Sequence, residues 1–281
     1  MITLPEGYKI GKYTVKFFIK EGLYNGTYKI EDENGSPLFM KFYDLSKVPE
    51  KLIIDGDIEE IINCRKIRHE NVISYVDDGS VTIDGAEYKY LVTNYFIGRL
   101  LSEIINEGKV FTEDTAKGIM AQVLTGLHYL NGEHYLNHND LTPRNIILDE
   151  VEPDKYIPRI IDLGHVHQPI SSGAPFPIND LTLTYCAPES LAGIFGPKVD
   201  VFSAMVILYQ MLAGKAPWPC ELSDNDHPQI RKQKIRQARK SPLDIAALKE
   251  KGVSDNLITV IEQGLALDFE QRPDLATILD C

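Results

Sequence analysis

Three groups of residues in this chain have types and spacings suited to chemistry. The first is His138-Asn139-Asp140-Leu141-Thr142-Pro143-Arg144-Asn145, which sets a carboxylate and an amide five residues apart. Asp162-Leu163-Gly164 adds a second carboxylate just after the apolar pair Ile160-Ile161. Carboxylate and amide oxygens of this kind are hard donors. The second group is Lys41, in the β-rich run Leu38 to Tyr43, and Glu60, in a helical pattern. Either alone reads as a solvated surface charge. The third is Lys20-Glu21-Gly22-Leu23-Tyr24-Asn25-Gly26-Thr27, a glycine-containing loop between two strand-like runs. Backbone amides in such a loop cover phosphates, yet taken alone an ordinary hairpin turn explains it better. His165 and His167 lack a third ligand and read as loop residues. Cys64, Cys186, Cys220 and Cys281 lie far apart without any C-x-x-C pairing, so they read as reduced thiols.

These groups need elements to carry them. The first third alternates like strands at Tyr13 to Lys20, Thr27 to Glu31 and Leu38 to Tyr43, with Asn34-Gly35 predicting a hairpin turn. Asp57 to Ile67 spaces Ile58, Ile61, Ile62 and Ile67 as a helix does. Strands return at Val72 to Asp77 and Tyr88 to Tyr95, with an Asp84-Gly85 turn ahead of the second. After Gly98 the pattern predicts helices over Leu100 to Ile105, Glu113 to Leu130, Val201 to Ala213 and Asn256 to Leu265. Thr112 before Glu113 and Asp114 is a helix start, since acidic residues favour the positive end of the dipole. Gly164 to Asp180, with three prolines, two glycines and two serines, predicts a mobile loop. A β-rich lobe followed by a helical one implies a ligand-holding cleft.

Composition narrows the function classes. With 281 residues, 43% apolar and 25% charged, the chain buries a sizeable core as one domain or two lobes. A formal net charge of −12 disfavours nucleic acid and favours basic or neutral partners. The most apolar stretch, Val201 to Ala213, is too short to span a bilayer. No secretory signal pattern opens the chain, so no membrane association is expected and the expected location is cytoplasmic.

Taken in order, the motifs resemble the eukaryotic-type protein kinase family over nearly the whole chain. The resemblance implies an α+β, two-lobed fold over residues 9–281. It has a small antiparallel N-lobe with one C helix (9–93), a hinge (94–98) and a larger, mainly helical C-lobe (99–281). It further implies that Lys41 and Glu60 pair to position ATP phosphates, that Asp140 handles the acceptor hydroxyl, and that Asn145 and Asp162 hold Mg2+. ATP would lie against Gly22, Asn25, Gly26, Thr27, Phe39, Lys41, Thr93, Asn94, Phe96 and Ile147, with Thr93 at the gatekeeper position. Ala187-Pro188-Glu189 matches the end of the activation segment, with Arg272 as its buried ion partner. Asp200 opens the central helix and supports the catalytic-loop backbone, and Gly214 to Trp218 follows where the family has its Gly-x-x-Pro turn. These features favour a protein substrate over a small metabolite.

Four departures stand out. Asn139 replaces the arginine that reads activation-loop phosphorylation, so a switch on Ser171, Ser172, Thr182 or Thr184 through that arginine is not expected. Thr142 replaces a lysine, and Arg144 is the candidate substitute in the catalytic set. Thr182 to Glu189 resembles the serine/threonine version, which favours Ser/Thr over Tyr. Phe39 replaces a small alanine on the face of Lys41, and the loop keeps only one of three glycines. The alternative is therefore a pseudokinase scaffold with its adenine site filled by Phe39, and less favoured still a small-molecule kinase. The basic run Arg231 to Lys240 reads as a solvated helix face.

Overall fold

The computed structural model describes residues 2–173, 182–223 and 225–279. The chain divides into two compact units, Met1–Ile97 and Gly98–Cys281. The first unit is built on one antiparallel sheet. Its strands are β1 (Lys9–Ile10), β2 (Tyr13–Glu21), β3 (Asn25–Glu31), β4 (Pro37–Asp44), β7 (Tyr75–Ile83) and β8 (Ala86–Asn94), ordered β1-β2-β3-β4-β8-β7. Alternation along the strands sends Tyr28, Ile30, Met40, Phe42, Tyr88 and Val92 into a common core, where Phe42 stacks on Tyr88 at 4.9 Å. Between β4 and β7 lie the short pair β5 (Ile53–Ile54) and β6 (Asp57–Ile58) and the helix α1 (Glu59–Lys66).

Two local expectations give way here. The loop after β3 is not a two-residue Asn-Gly hairpin. Asp32 accepts from the amides of Asn34 and Ser36, and only Gly35 takes a left-handed φ. An Asp side chain that satisfies two loop amides closes a longer turn in place of the tight one. The strand expected at Val72 to Asp77 begins instead at Tyr75 and runs on to Ile83, because it pairs with β8 across the Asp84-Gly85 turn.

The second unit carries β9 (Arg99–Leu100), α2 (Leu101–Asn106), α3 (Glu113–His134), β10 (Ile146–Glu152) and β11 (Lys155–Ile160), then α4 (Val199–Ala213), α5 (Pro228–Ala238), α6 (Ile245–Glu250), α7 (Asp255–Gly264) and α8 (Leu275–Leu279). Thr112 caps α3 by accepting from the Thr115 amide, and Tyr135 ends that helix in a left-handed conformation. α4 is apolar all round and buried almost throughout, as a central helix must be. Gly214 stops it with φ 73°, a conformation that costs glycine little. The basic run proves not to be a wholly solvated face. α5 has few apolar residues, so it seats itself by burying Ile235 together with Lys232, and Arg239 just beyond it is buried too. Residues 174–180 of the expected mobile loop lie outside the described residues, as does Cys281.

Candidate active site

In the first unit the site begins with the alternation of β4. Leu38, Met40 and Phe42 turn to the core, so Phe39, Lys41 and Tyr43 share the other face. Register adds their neighbours: Thr27, Lys41 and Leu91 form one row across β3, β4 and β8, and Lys29, Phe39 and Thr93 form the next. Lys41 Nζ donates to Glu60 Oε1 at 2.5 Å, and the Tyr43 hydroxyl donates to Glu60 Oε2 at 2.8 Å. Both carboxylate oxygens of a buried Glu60 are thus held. Tyr43 was not foreseen, although its position two residues beyond Lys41 on a strand was the signal.

Glu60 lies in the first turn of α1, where the helix dipole favours a negative charge. The helix is fastened in turn. Arg65 holds Asp57 at 2.7 Å and also Asp78 on β7, and Lys89 of β8 reaches Asp57 at 2.7 Å. Burial pushes the Asp57 carboxyl upward, but Lys89, the Ile58 amide and Arg65 together hold it below its ordinary range.

The loop before β3 is a tight turn in which the Gly22 amide donates to the Asn25 carbonyl at 2.7 Å. The left-handed conformation that Asn25 tolerates is not used, because Asn25 is already a strand residue paired with Tyr43. Gly26 is required for packing. A Cβ there would meet the Tyr28 ring at 3.0 Å and Phe18 at 3.3 Å. Phe39 lies against Tyr95 with ring centroids 4.9 Å apart, and Lys29 sits over the same Tyr95 ring at 4.6 Å. Asn94 and Phe96 follow at the end of β8, and Thr93 is buried there. Thr27 Oγ1, in the row of Lys41, is buried with no hydrogen-bond partner among the described residues. An orphan hydroxyl beside a lysine suits a ligand carrying anionic oxygens.

In the second unit the loop between α3 and β10 is pinned from below. Asp200, at the start of α4, accepts from the backbone amides of His138 at 2.6 Å and Asn139 at 2.9 Å. Its complete burial raises the carboxyl to about 6, against the pull of those two amides. Asn139 takes φ 65°, which asparagine tolerates better than most residues, and its side-chain amide donates to the His165 carbonyl at 2.8 Å. The position expected to carry a cation is therefore filled by a neutral, locally bonded side chain.

Asp140 Oδ1 accepts from the Thr182 amide at 3.4 Å, and His165 Nδ1 stands 3.8 Å from Oδ2. Asn145 Nδ2 donates to the Asp140 carbonyl at 2.8 Å, which fixes the amide and leaves Oδ1 as its acceptor end. The Asn145 carbonyl accepts from the Ile161 amide at 2.8 Å, so the strand leading to Asp162 ends tied to the same residue. Asp162 takes φ 67° and accepts from the Gly164 amide at 3.3 Å. Ile147 is buried on β10 beside this loop. Thr142 caps the short turn at Pro143–Asn145, and Arg144 extends outward from it.

The segment after Thr182 is tied down twice. Arg272, with its side chain fully out of solvent, binds Glu189 through both guanidinium ends at 2.6 and 3.2 Å. Arg239 donates to the carbonyls of Leu183, Thr184 and Cys186 at 3.3, 3.2 and 2.7 Å. Both guanidiniums lie over the ring of Phe202, at 4.8 and 5.0 Å, and Phe202 stacks on Trp218. The role of Arg239 was not legible from a run of alternating basic residues.

Asn145 and Asp162 are the oxygen donors that fit a hard cation here, one amide and one carboxylate, a set that needs phosphate oxygens or water to complete it. Among the described residues no group of three or more His, Cys, Asp or Glu is placed to hold a metal by itself. Cys64 and Cys186 are buried thiols pushed up to about 12 and about 11, which keeps them protonated and unreactive. No helix among the described residues is long and apolar enough to cross a membrane.

Comparison with known proteins accords with this geometry. Residues 13–281 match the family model described as protein kinase domain. The chain is 30% identical over 229 residues to a probable serine/threonine-protein kinase KIN1 homolog of Enterocytozoon bieneusi (strain H348), covering 78% of this chain and 36% of that protein. It is 27% identical over 237 residues to calcium-dependent protein kinase 4 of Plasmodium falciparum (isolate 3D7), covering 84% and 42% respectively. The chain thus spans less than half the length of either relative. Its fold is similar to that in a crystal structure of Rad53 1-466 in complex with AMP-PNP, with TM-score 0.72 and 23% identity, covering 96% of this chain and 64% of that one. The pinned loop, the lysine–glutamate pair and the matched family model together place this chain in the protein kinase domain family.

Proposed function

We propose that the chain transfers the γ-phosphoryl group of Mg-ATP to a serine or threonine hydroxyl of a protein. The observation that carries this reading is the loop from His138 to Asn145. Its backbone is pinned by Asp200 so that Asp140 and the Asn145 amide are both fixed before any ligand arrives. Preorganisation of that kind is most of what phosphoryl transfer asks of a protein, because the chemistry consists of positioning and charge neutralisation.

In this reading Lys41, steered by Glu60 and Tyr43, binds phosphate oxygens. Thr27 offers its unpartnered hydroxyl to the nucleotide, and Asn94 to Phe96 offer backbone groups to the base. Phe39, braced by Tyr95, bounds the base side of the site. Asp140 orients the acceptor hydroxyl and takes its proton. Asn145 and Asp162 would hold Mg2+, which when bound neutralises charge on the phosphates. The KIN1 homolog is described as a probable serine/threonine-protein kinase, which supports that acceptor class. The thiols of Cys64, Cys186 and Cys220 are free, consistent with a reducing, cytoplasmic setting.

The test is γ-phosphoryl transfer from labelled Mg-ATP to the protein itself and to generic basic acceptors, beside Asp162→Ala. Label that appears on serine or threonine and vanishes in the variant is the expected result. No transfer, together with no thermal shift on adding Mg-ATP, would replace this reading with a catalytically silent scaffold.

A further inference from the structure

Most arginines of this chain already have partners. Arg65, Arg99, Arg159 and Arg272 each hold a carboxylate, while Arg68, Arg236 and Arg239 hold backbone carbonyls. Arg231, on α5, has a buried Nε without a hydrogen-bond partner among the described residues, and Arg144 differs from all of these. It is exposed, and its guanidinium has no carboxylate or carbonyl partner among the described residues, in a chain of net charge −12 with carboxylates in excess. It lines a pocket of about 220 Å³ with Ser102, Asn106, Thr142, Thr184 and Gln210, whose walls are mainly hydroxyl and amide groups. Gln210 Oε1 already accepts from the Tyr185 hydroxyl at 2.7 Å, so that amide presents its NH2 end as a remaining donor.

The pocket is therefore rich in donors and holds one cation. Its volume falls below the roughly 300–1,000 Å³ that enclose a nucleotide-sized ligand, and suits a single side chain. It also lies next to the chemistry. Thr182 lines it, and the Thr182 amide is the group that donates to Asp140 Oδ1. The place of Arg144 on the rigid turn Pro143–Asn145 fixes its Cα four residues from Asp140.

We infer that this pocket receives one acidic side chain of the polypeptide substrate, close in sequence to the hydroxyl that is phosphorylated. The inference rests on the kinase reading and names its substrate class. A guanidinium pairs with a carboxylate or phosphate in a two-pronged, charge-assisted geometry that a neutral amide cannot reproduce. Charge argues for one acidic residue and against an acidic run. The field of a −12 chain repels extended acidic segments, whereas a contact pair acts within the Debye length of about 8 Å.

The test uses peptides with one serine in a neutral background, with Asp, Asn, Lys or phosphoserine placed singly at each nearby position. For the wild-type chain, Asp at one position should raise kcat/KM roughly tenfold or more over Asn. Arg144→Gln should abolish that ratio, and Arg144→Glu should shift the preference to Lys at the same position. The phosphoserine arm separates a carboxylate preference from a phosphate preference. Equal Asp and Asn values at every position, or a ratio that survives Arg144→Gln, would overturn the inference. If no peptide is phosphorylated, fluorescence anisotropy of the labelled Asp and Asn peptides decides the matter separately. Tighter Asp binding that Arg144→Gln removes would uphold the pocket while the kinase reading falls, and equal binding would discard the pocket.

Discussion

Replacing Tyr43 by Phe removes one oxygen and nothing else, so its effect reports on that hydroxyl. That hydroxyl lies 2.8 Å from Glu60 Oε2, in a place where Tyr43 is 2% and Glu60 8% exposed. A hydrogen bond to a charged acceptor contributes about 1.5–3 kcal/mol, and the oxygen left behind is buried. The second carboxylate oxygen stays with Lys41, which keeps the loss from growing to that of an unpaired buried charge. The expected destabilisation is about 2 kcal/mol, or a fall in Tm of roughly 4–8 °C. The assay is a double-mutant cycle of Tyr43→Phe and Glu60→Met, read by urea unfolding. The coupling energy should exceed about 1 kcal/mol, since whatever Lys41 loses with Glu60 is common to both Glu60→Met species and cancels in the cycle. A coupling within about 0.5 kcal/mol of zero would show that the hydroxyl does not hold the glutamate.

Three further outcomes are expected. Asp200 has its carboxyl raised to about 6 by burial, so its protonated form contributes stability that is complete below about pH 4 and lost as pH rises through 6. The unfolding free energy of wild type relative to Asp200→Asn should therefore fall by about 2 kcal/mol between pH 4 and 7, and a flat difference would contradict the raised value. Phe39→Val should tighten binding of a fluorescent ATP analogue by about tenfold by freeing space on the face of Lys41, whereas weaker binding would mean the ring supports the base. Arg239→Met should raise KM for a peptide while leaving KM for ATP in place, because the three carbonyls it holds belong to Leu183, Thr184 and Cys186. An equal change in both constants would show a general loosening.

The strands of the first unit were legible because each keeps one buried face, and alternation reports that directly. Met40 and Phe42 against Lys41 and Tyr43 is the plainest case. The same alternation made Tyr43 discoverable as a partner of the site, yet a tyrosine on a strand has no chemical signature until its neighbour is known. The hairpin of β10 and β11 was missed because its opening residues, Asn145 to Leu148, were read for chemistry and not for pairing. α5 hid for a different reason: it has only two isoleucines, and it buries charged stems whose sequence looks solvated. Arg239 is the sharpest example, since its three acceptors lie more than fifty residues upstream.

Phe202, beneath both Arg239 and Arg272, carries a consequence for how this sequence can change over time. One ring serves two guanidiniums, each bonded elsewhere to different partners, Glu189 for one and main-chain carbonyls for the other. A leucine at 202 would take away the π-face from both cations at once and leave two like charges near each other in a dry interior. No single substitution at 202, 239 or 272 leaves the other two content. Descendants and relatives of this chain should therefore inherit the three positions as a set, or exchange them together.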